Sequence, residues 1–129
     1  MKALIIDDSR AMRRILAGIV KPLGFAVTEA ADGQEGLNSL LKLGPIEIVL
    51  VDWNMPVMDG LEFVKAVRLN ADFESQKIVM VTTETEPSQM ARALISGVDE
   101  FIMKPFTQDI LIEKMKLIGV EMGAAPAEQ

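Results

Sequence analysis

The residues able to do chemistry in this chain sit where short apolar runs end. Asp7 and Asp8 follow Ala3–Ile6, Asp52 follows Ile48–Val51, Thr82 and Thr83 follow Ile78–Val81, and Lys104-Pro105 follows Phe101–Met103. Each feature has an ordinary explanation by itself. An Asp pair before a helix is about as often a cap with a solvated neighbour as a ligand site. Asp52 alone is a loop acid, and Lys104 alone is a salt-bridge partner. Brought together, three carboxylates repel one another, and burial at a strand end raises the cost. A divalent cation with oxygen ligands offsets both, and Mg²⁺ typically takes one or two carboxylates while keeping waters and a phosphate oxygen. A carboxylate beside such a cation, an ammonium and a hydroxyl is a competent phosphoryl acceptor. The transfer needs little beyond alignment and neutralised equatorial oxygens.

Composition narrows the alternatives. The 129 residues suffice for one domain with a substantial core, and half of them are hydrophobic. There is no cysteine, which removes disulfides, thiolate metal sites and thiol nucleophiles. There is no histidine, which removes the Ser-His triad and imidazole ligation. A net charge of −6 argues against nucleic acid as a partner. No apolar run has the length of a membrane span, and "MKALIIDD" turns acidic too soon for a signal peptide, so the expected location is cytoplasmic.

The elements that must position these groups follow from periodicity. The four apolar runs do not alternate with polar residues, as expected of strands buried on both faces. A fifth run, Phe25–Ala30, alternates more and suits a strand with one face nearer solvent. Helical spacing appears between the runs: Met12, Ile15, Leu16, Ile19 and Val20 after a Ser9 cap, then Leu37, Leu40 and Leu41 up to Gly44-Pro45. Leu61, Val64 and Val67 give a third helix. Pro87, Met90, Ala91 and Leu94 give a fourth ending near Gly97, and Ile110, Leu111, Met115 and Ile118 a fifth capped by Thr107. Strand and helix alternate five times, which predicts an α/β fold: a parallel sheet, right-handed crossovers and helices on both faces. Ligand sites in such sheets lie at the carboxyl ends of the strands, where the acids, hydroxyls and Lys104 collect.

"DDSRAMRR", "VDWNMPVMDG", "VTTE" and "KPF" together resemble the receiver domains of two-component response regulators, in the family's order and spacing from residue 2 to 119. The resemblance implies a flavodoxin-like (βα)5 doubly wound fold with strand order 2-1-3-4-5. It assigns residues 1–119 to the receiver and 120–129 to a C-terminal tail whose last residues are a frayed end or linker stub. It implies that Asp52 is the phosphoacceptor and that Mg²⁺ (or Mn²⁺) is held by Asp8, Asp52, the Asn54 backbone carbonyl and, through water, Asp7. Thr82 would be the switch hydroxyl and Lys104 the ammonium that holds the phosphoryl group, with Lys104-Pro105 cis. Met55-Pro56 and Asp59-Gly60 would shape the adjoining loop, with Gly60 able to take φ > 0.

"DDSRAMRR" and Trp53 are similar to the chemotaxis branch, and Asn54 with Glu84 matches the pair that accompanies rapid loss of the phosphoryl group. Phe101 stands where that branch carries Tyr as its rotating aromatic; an ordinary core Phe is an equally good reading. Ser9 replaces an aromatic beside the acidic pair. Arg10, Arg13 and Arg14 read as a solvated helix face or as a docking surface for a kinase or phosphatase. The resemblance implies no classical enzyme but a signalling domain that catalyses only its own phosphorylation and dephosphorylation. Its donor would be a sensor histidine kinase or histidine phosphotransfer protein. Its output would run through the surface from the fourth helix to the fifth, to a target such as a flagellar switch component, and the unphosphorylated form would be a monomer. The alternative is a receiver cut from a longer regulator with a DNA-binding or enzymatic output domain, with "GAAPAEQ" opening a linker.

Overall fold

The computed structural model describes residues 1–123. Five parallel strands, β1 (Lys2–Ile6), β2 (Ala26–Ala30), β3 (Ile48–Val51), β4 (Ile78–Thr82) and β5 (Glu100–Met103), lie in the order β2-β1-β3-β4-β5. Five helices connect them: α1 (Arg10–Val20), α2 (Gly33–Leu43), α3 (Gly60–Arg68), α4 (Pro87–Ser96) and α5 (Gln108–Leu117). Two short 3₁₀ turns, Lys21–Leu23 and Ala71–Phe73, complete the described part. The sequence predicts neither; each is too brief to leave a periodic signature.

Why the inner strands lack alternation is visible in the core. Successive side chains of a strand point to opposite faces, and here both faces are covered. Leu4, Ile6, Val49, Val51, Ile78 and Met80 enter one cluster with α3 residues Phe63, Val64 and Val67. Ala3, Ile5, Ile48, Leu50, Val79 and Val81 enter the other, with Leu16 and Val20 of α1 and Leu111 and Met115 of α5. All four β3 residues are fully buried, each contributing about 1.5–3 kcal/mol of hydrophobic stabilisation. β2 lies at an edge and leaves part of its surface in solvent, in keeping with its more alternating sequence.

The helix ends are set by side chains. The Ser9 hydroxyl accepts from Met12 N–H at 3.2 Å, Asp32 from Glu35 N–H at 2.8 Å and Thr107 from Ile110 N–H at 3.2 Å. Asp59 and Glu62 form a reciprocal capping box on α3, a role the sequence reading did not give Asp59. α4 starts on Pro87 and stops at Gly97, whose φ of 118° suits glycine. The apolar helical stripe is broader than the buried one: Ile15, Leu41, Leu94 and Ile110 are exposed. Beyond α5, Val120 is buried and Gly123 N–H donates to the Leu23 carbonyl at 2.8 Å, so the tail's first residues pack against the body. The frayed end or linker stub expected at the very C-terminus falls on residues 124–129, outside the described part. No described helix is long and apolar enough to cross a membrane.

Candidate functional site

Parallel strands place all their carboxyl ends on one edge, and the polar residues meet there. Asp7 follows β1, Asp52 follows β3, Thr82 ends β4 and Lys104 follows β5. Register locks these ends together: Asp7 N–H donates to Ala30, Asp52 N–H to Ile6 and Lys104 N–H to Thr82, all at about 3 Å. Carboxylate oxygens of Asp7, Asp8 and Asp52 come within 4.8 Å of one another. The Lys104 Nζ lies 3.0 Å from Asp7 Oδ2 and 3.4 Å from Asp52 Oδ1. Lys104-Pro105 is cis. The ordinary reading of Lys104, a salt bridge to a nearby Asp, is thus observed twice.

Asp7 and Asp52 are buried, whereas Asp8 is exposed. Burial raises the Asp52 carboxyl pKa from its ordinary value. The Lys104 charge pulls it down, the Asp7 charge pushes it up, and the Trp53 N–H, 2.8 Å from Oδ1, favours the ionised form. Desolvation wins. Among the described residues, Oδ2 of Asp52 accepts no hydrogen bond, yet it is not enclosed as an unsatisfied atom. It is the oxygen left open to the rim.

Three carboxylates facing one ammonium carry a surplus of two negative charges, three minus one, when all are ionised. All donors are hard oxygens. That set fits a divalent Mg²⁺ or Mn²⁺ ion, with Asp8 and Asp52 as the carboxylates not held in the shorter Lys104 pair.

The surrounding loops carry the remaining residues. Thr82 is fully buried and its hydroxyl accepts from Glu84 N–H at 3.1 Å. The Glu84 carboxylate turns toward α4 and accepts from Glu86 N–H at 3.0 Å. Asn54 is exposed in the loop after β3. Phe101 is 7% exposed, inside the cluster shared by Met80, Ala93 and Val98. Trp53 is buried beside Asp52.

Two expectations need correction. Gly60 does not take positive φ, and only Gly24, Gly44, Gly97 and Gly119 do so among the described glycines. Glycine is needed at 60 because the loop folds back on the acceptor: a Cβ there would stand 2.2 Å from the Asp52 carbonyl oxygen. The positive φ falls instead on Val57, at 69°, in a γ-turn closed by Met58 N–H to the Pro56 carbonyl at 2.8 Å. Arg13 is no solvated charge. Its guanidinium turns inward, donating to the Asp7 carbonyl at 2.6 Å and to Glu29 at 3.0 Å. Nothing in the spacing separates Arg13 from Arg10 and Arg14, because the rotation of α1 against the sheet decides which one faces in.

This sheet, with its acidic cluster and facing lysine on one edge, defines a signalling receiver, and the chain belongs to the response regulator receiver domain family, whose profile matches residues 3–116. Within that family it is similar to chemotaxis proteins of the CheY type. It is 42% identical to the CheY homolog of Campylobacter jejuni over 99% of this chain and all of that protein. It is 40% identical to chemotaxis protein CheY1 of Helicobacter pylori, over 92% of this chain and 96% of the other. Among solved structures, Vibrio cholerae CheY4 superposes with a TM-score of 0.85 at 35% identity, covering 91% of this chain and 97% of the other.

Proposed function

We propose that this chain is a phosphoryl-accepting switch of the chemotaxis type, with Asp52 as the acceptor. The observation that carries the reading is the convergence of Asp7, Asp8, Asp52 and Lys104 on one strand edge. Asp8, Asp52, the Asn54 backbone carbonyl and, through water, Asp7 would hold a Mg²⁺ or Mn²⁺ ion, which would supply neutralising charge for phosphoryl oxygens. The open Oδ2 of Asp52 attacks the phosphorus of a phosphohistidine on a sensor kinase or phosphotransfer protein. An O–P bond forms as the P–N bond breaks, and the departing imidazole keeps that electron pair and takes a proton from solvent. Lys104, already 3.4 Å from Asp52, pairs with one phosphoryl oxygen. The Thr82 hydroxyl donates to another.

Turning toward the phosphoryl group draws the Thr82 hydroxyl from Glu84 N–H, loosening the loop that leads into α4. Phe101 already lies buried, so its inward position requires no new cavity. Output runs through the face from α4 through β5 to α5, where Leu94, Ile95, Ile110 and Leu117 are exposed. A groove of about 650 Å³ lined by Ile110, Glu113, Lys114, Lys116 and Leu117 lies on α5 and shares no residue with the acidic cluster. The names of the similar proteins favour a motility target such as a flagellar switch component. Water then attacks the phosphorus and Asp52 departs as carboxylate, at a rate set by Asn54 and Glu84. The phosphoprotein is short-lived, and a lifetime of many hours with Mg²⁺ contradicts this. The working state before phosphorylation is a cytoplasmic monomer.

Incubation with Mg²⁺ and acetyl phosphate, followed by Trp53 fluorescence and intact mass, tests the reading. Wild type gains one phosphoryl group with a fluorescence change, and Asp52→Asn does neither. An unresponsive wild type overturns it.

A further inference from the structure

We infer that Arg13 is a positioning residue for the cation site: through the Asp7 main chain it fixes where the Asp7 carboxylate stands. The inference rests on the reading of the acidic cluster as a Mg²⁺ site. Asp7 is held from every side. Its N–H donates to the Ala30 carbonyl, its Oδ1 accepts from Ser9 N–H at 2.8 Å, and its Oδ2 accepts from Lys104. Its carbonyl is the exception. β1 has ended at Ile6, whose own carbonyl takes the Asp52 N–H, and no backbone N–H among the described residues reaches the Asp7 oxygen. At 1% exposure, Asp7 has little recourse to water. The Arg13 guanidinium supplies the missing donor at 2.6 Å.

The planar fork explains why an arginine does this. One nitrogen reaches the Asp7 carbonyl on β1's end while another is braced by Glu29 on β2, so the donor is fixed to two strands at once. The Arg13 side chain is only 15% exposed, whereas its Glu29 partner is 39% exposed. A pair with so exposed an acid contributes little to stability by itself. Its use is to aim the guanidinium.

The sign of the effect separates this from a charge effect. Removing a nearby positive charge, with nothing else changed, makes a cation bind more tightly. Removing a positioning group frees the Asp7 main chain and makes it bind more weakly. Mg²⁺ titrations of wild type, Arg13→Met and Arg13→Lys, followed by Trp53 fluorescence without any phosphodonor, read this directly, with urea unfolding in chelator as the control for stability. Arg13→Met should raise the Mg²⁺ Kd about tenfold, the low end for residues that support a metal ligand. Arg13→Lys, which keeps the charge but not the fork, should fall between. A folded Arg13→Met that binds as tightly as wild type, or more tightly, overturns the inference. If that variant does not fold, an unchanged Kd for Arg13→Lys overturns it equally. A wild type with no Mg²⁺ response overturns the metal-site reading and this inference together; variants matching a responsive wild type overturn the inference alone.

Discussion

Replacing Asp52 by Asn should make the protein more stable when divalent cations are chelated. Two Coulomb terms nearly oppose each other at this carboxylate. At an effective dielectric of about 20, the Lys104 ammonium at 3.4 Å attracts it by about 5 kcal/mol. On the same scale, a second carboxylate within 4.8 Å repels it by at least about 3.5 kcal/mol. Desolvation of a buried carboxylate costs several kcal/mol more, so the balance goes against the charged form. The raised pKa of Asp52, with burial as its largest cause, points the same way. Asparagine keeps an acceptor for Trp53 N–H and sheds the charge, for an expected gain of about 1–2 kcal/mol, or about 3–8 °C in Tm. The folded state holds its proton to higher pH than the unfolded chain, so ionising Asp52 costs stability. That cost is absent below the unfolded pKa and grows as pH rises toward and through the raised folded value. Wild type in EDTA should therefore lose stability from this group as pH rises through that window, and Asp52→Asn should lack that component. Mg²⁺ narrows the gap: at about tenfold over Kd it stabilises wild type by about 1.4 kcal/mol and the variant by less. Urea unfolding with EDTA or Mg²⁺ at several pH values measures all of this. An Asp52→Asn variant less stable than wild type in EDTA near neutral pH refutes the reasoning.

Other substitutions probe the supports. Lys104→Met leaves Asp7 and Asp52 facing each other unpaired, and should cost about 2–3 kcal/mol in EDTA by urea unfolding, with part regained in Mg²⁺. Gly60→Ala drives a Cβ into the Asp52 carbonyl and should cost about 2–3 kcal/mol while weakening the Trp53 response to Mg²⁺. Val57→Gly relieves a β-branched residue at φ 69° and should raise stability by about 0.5–1 kcal/mol in thermal unfolding, after the entropy glycine adds to the unfolded chain.

Much of this protein is legible without coordinates. A strand buried on both faces must be apolar throughout, so Ile48–Val51 and Ile78–Val81 announce themselves. Alternating βα order makes the sheet parallel, and a parallel sheet puts every strand's carboxyl end on one edge. Sequence position alone thus puts Asp7, Asp8, Asp52, Thr82 and Lys104 on one rim. Caps such as Ser9 and Thr107 are equally local, because their partners lie three residues away. Tertiary structure decided what depends on distance across elements. It divided Lys104 between Asp7 and Asp52, turned the Glu84 carboxylate toward α4, and chose Arg13 from three similar arginines. It also gave Gly60 a different reason for being glycine, since the constraint is the Asp52 carbonyl pressed against it and not its own φ. Periodicity reports which way a side chain faces along its own element; how two elements rotate and approach is a property of the pair, and no single stretch of sequence contains it.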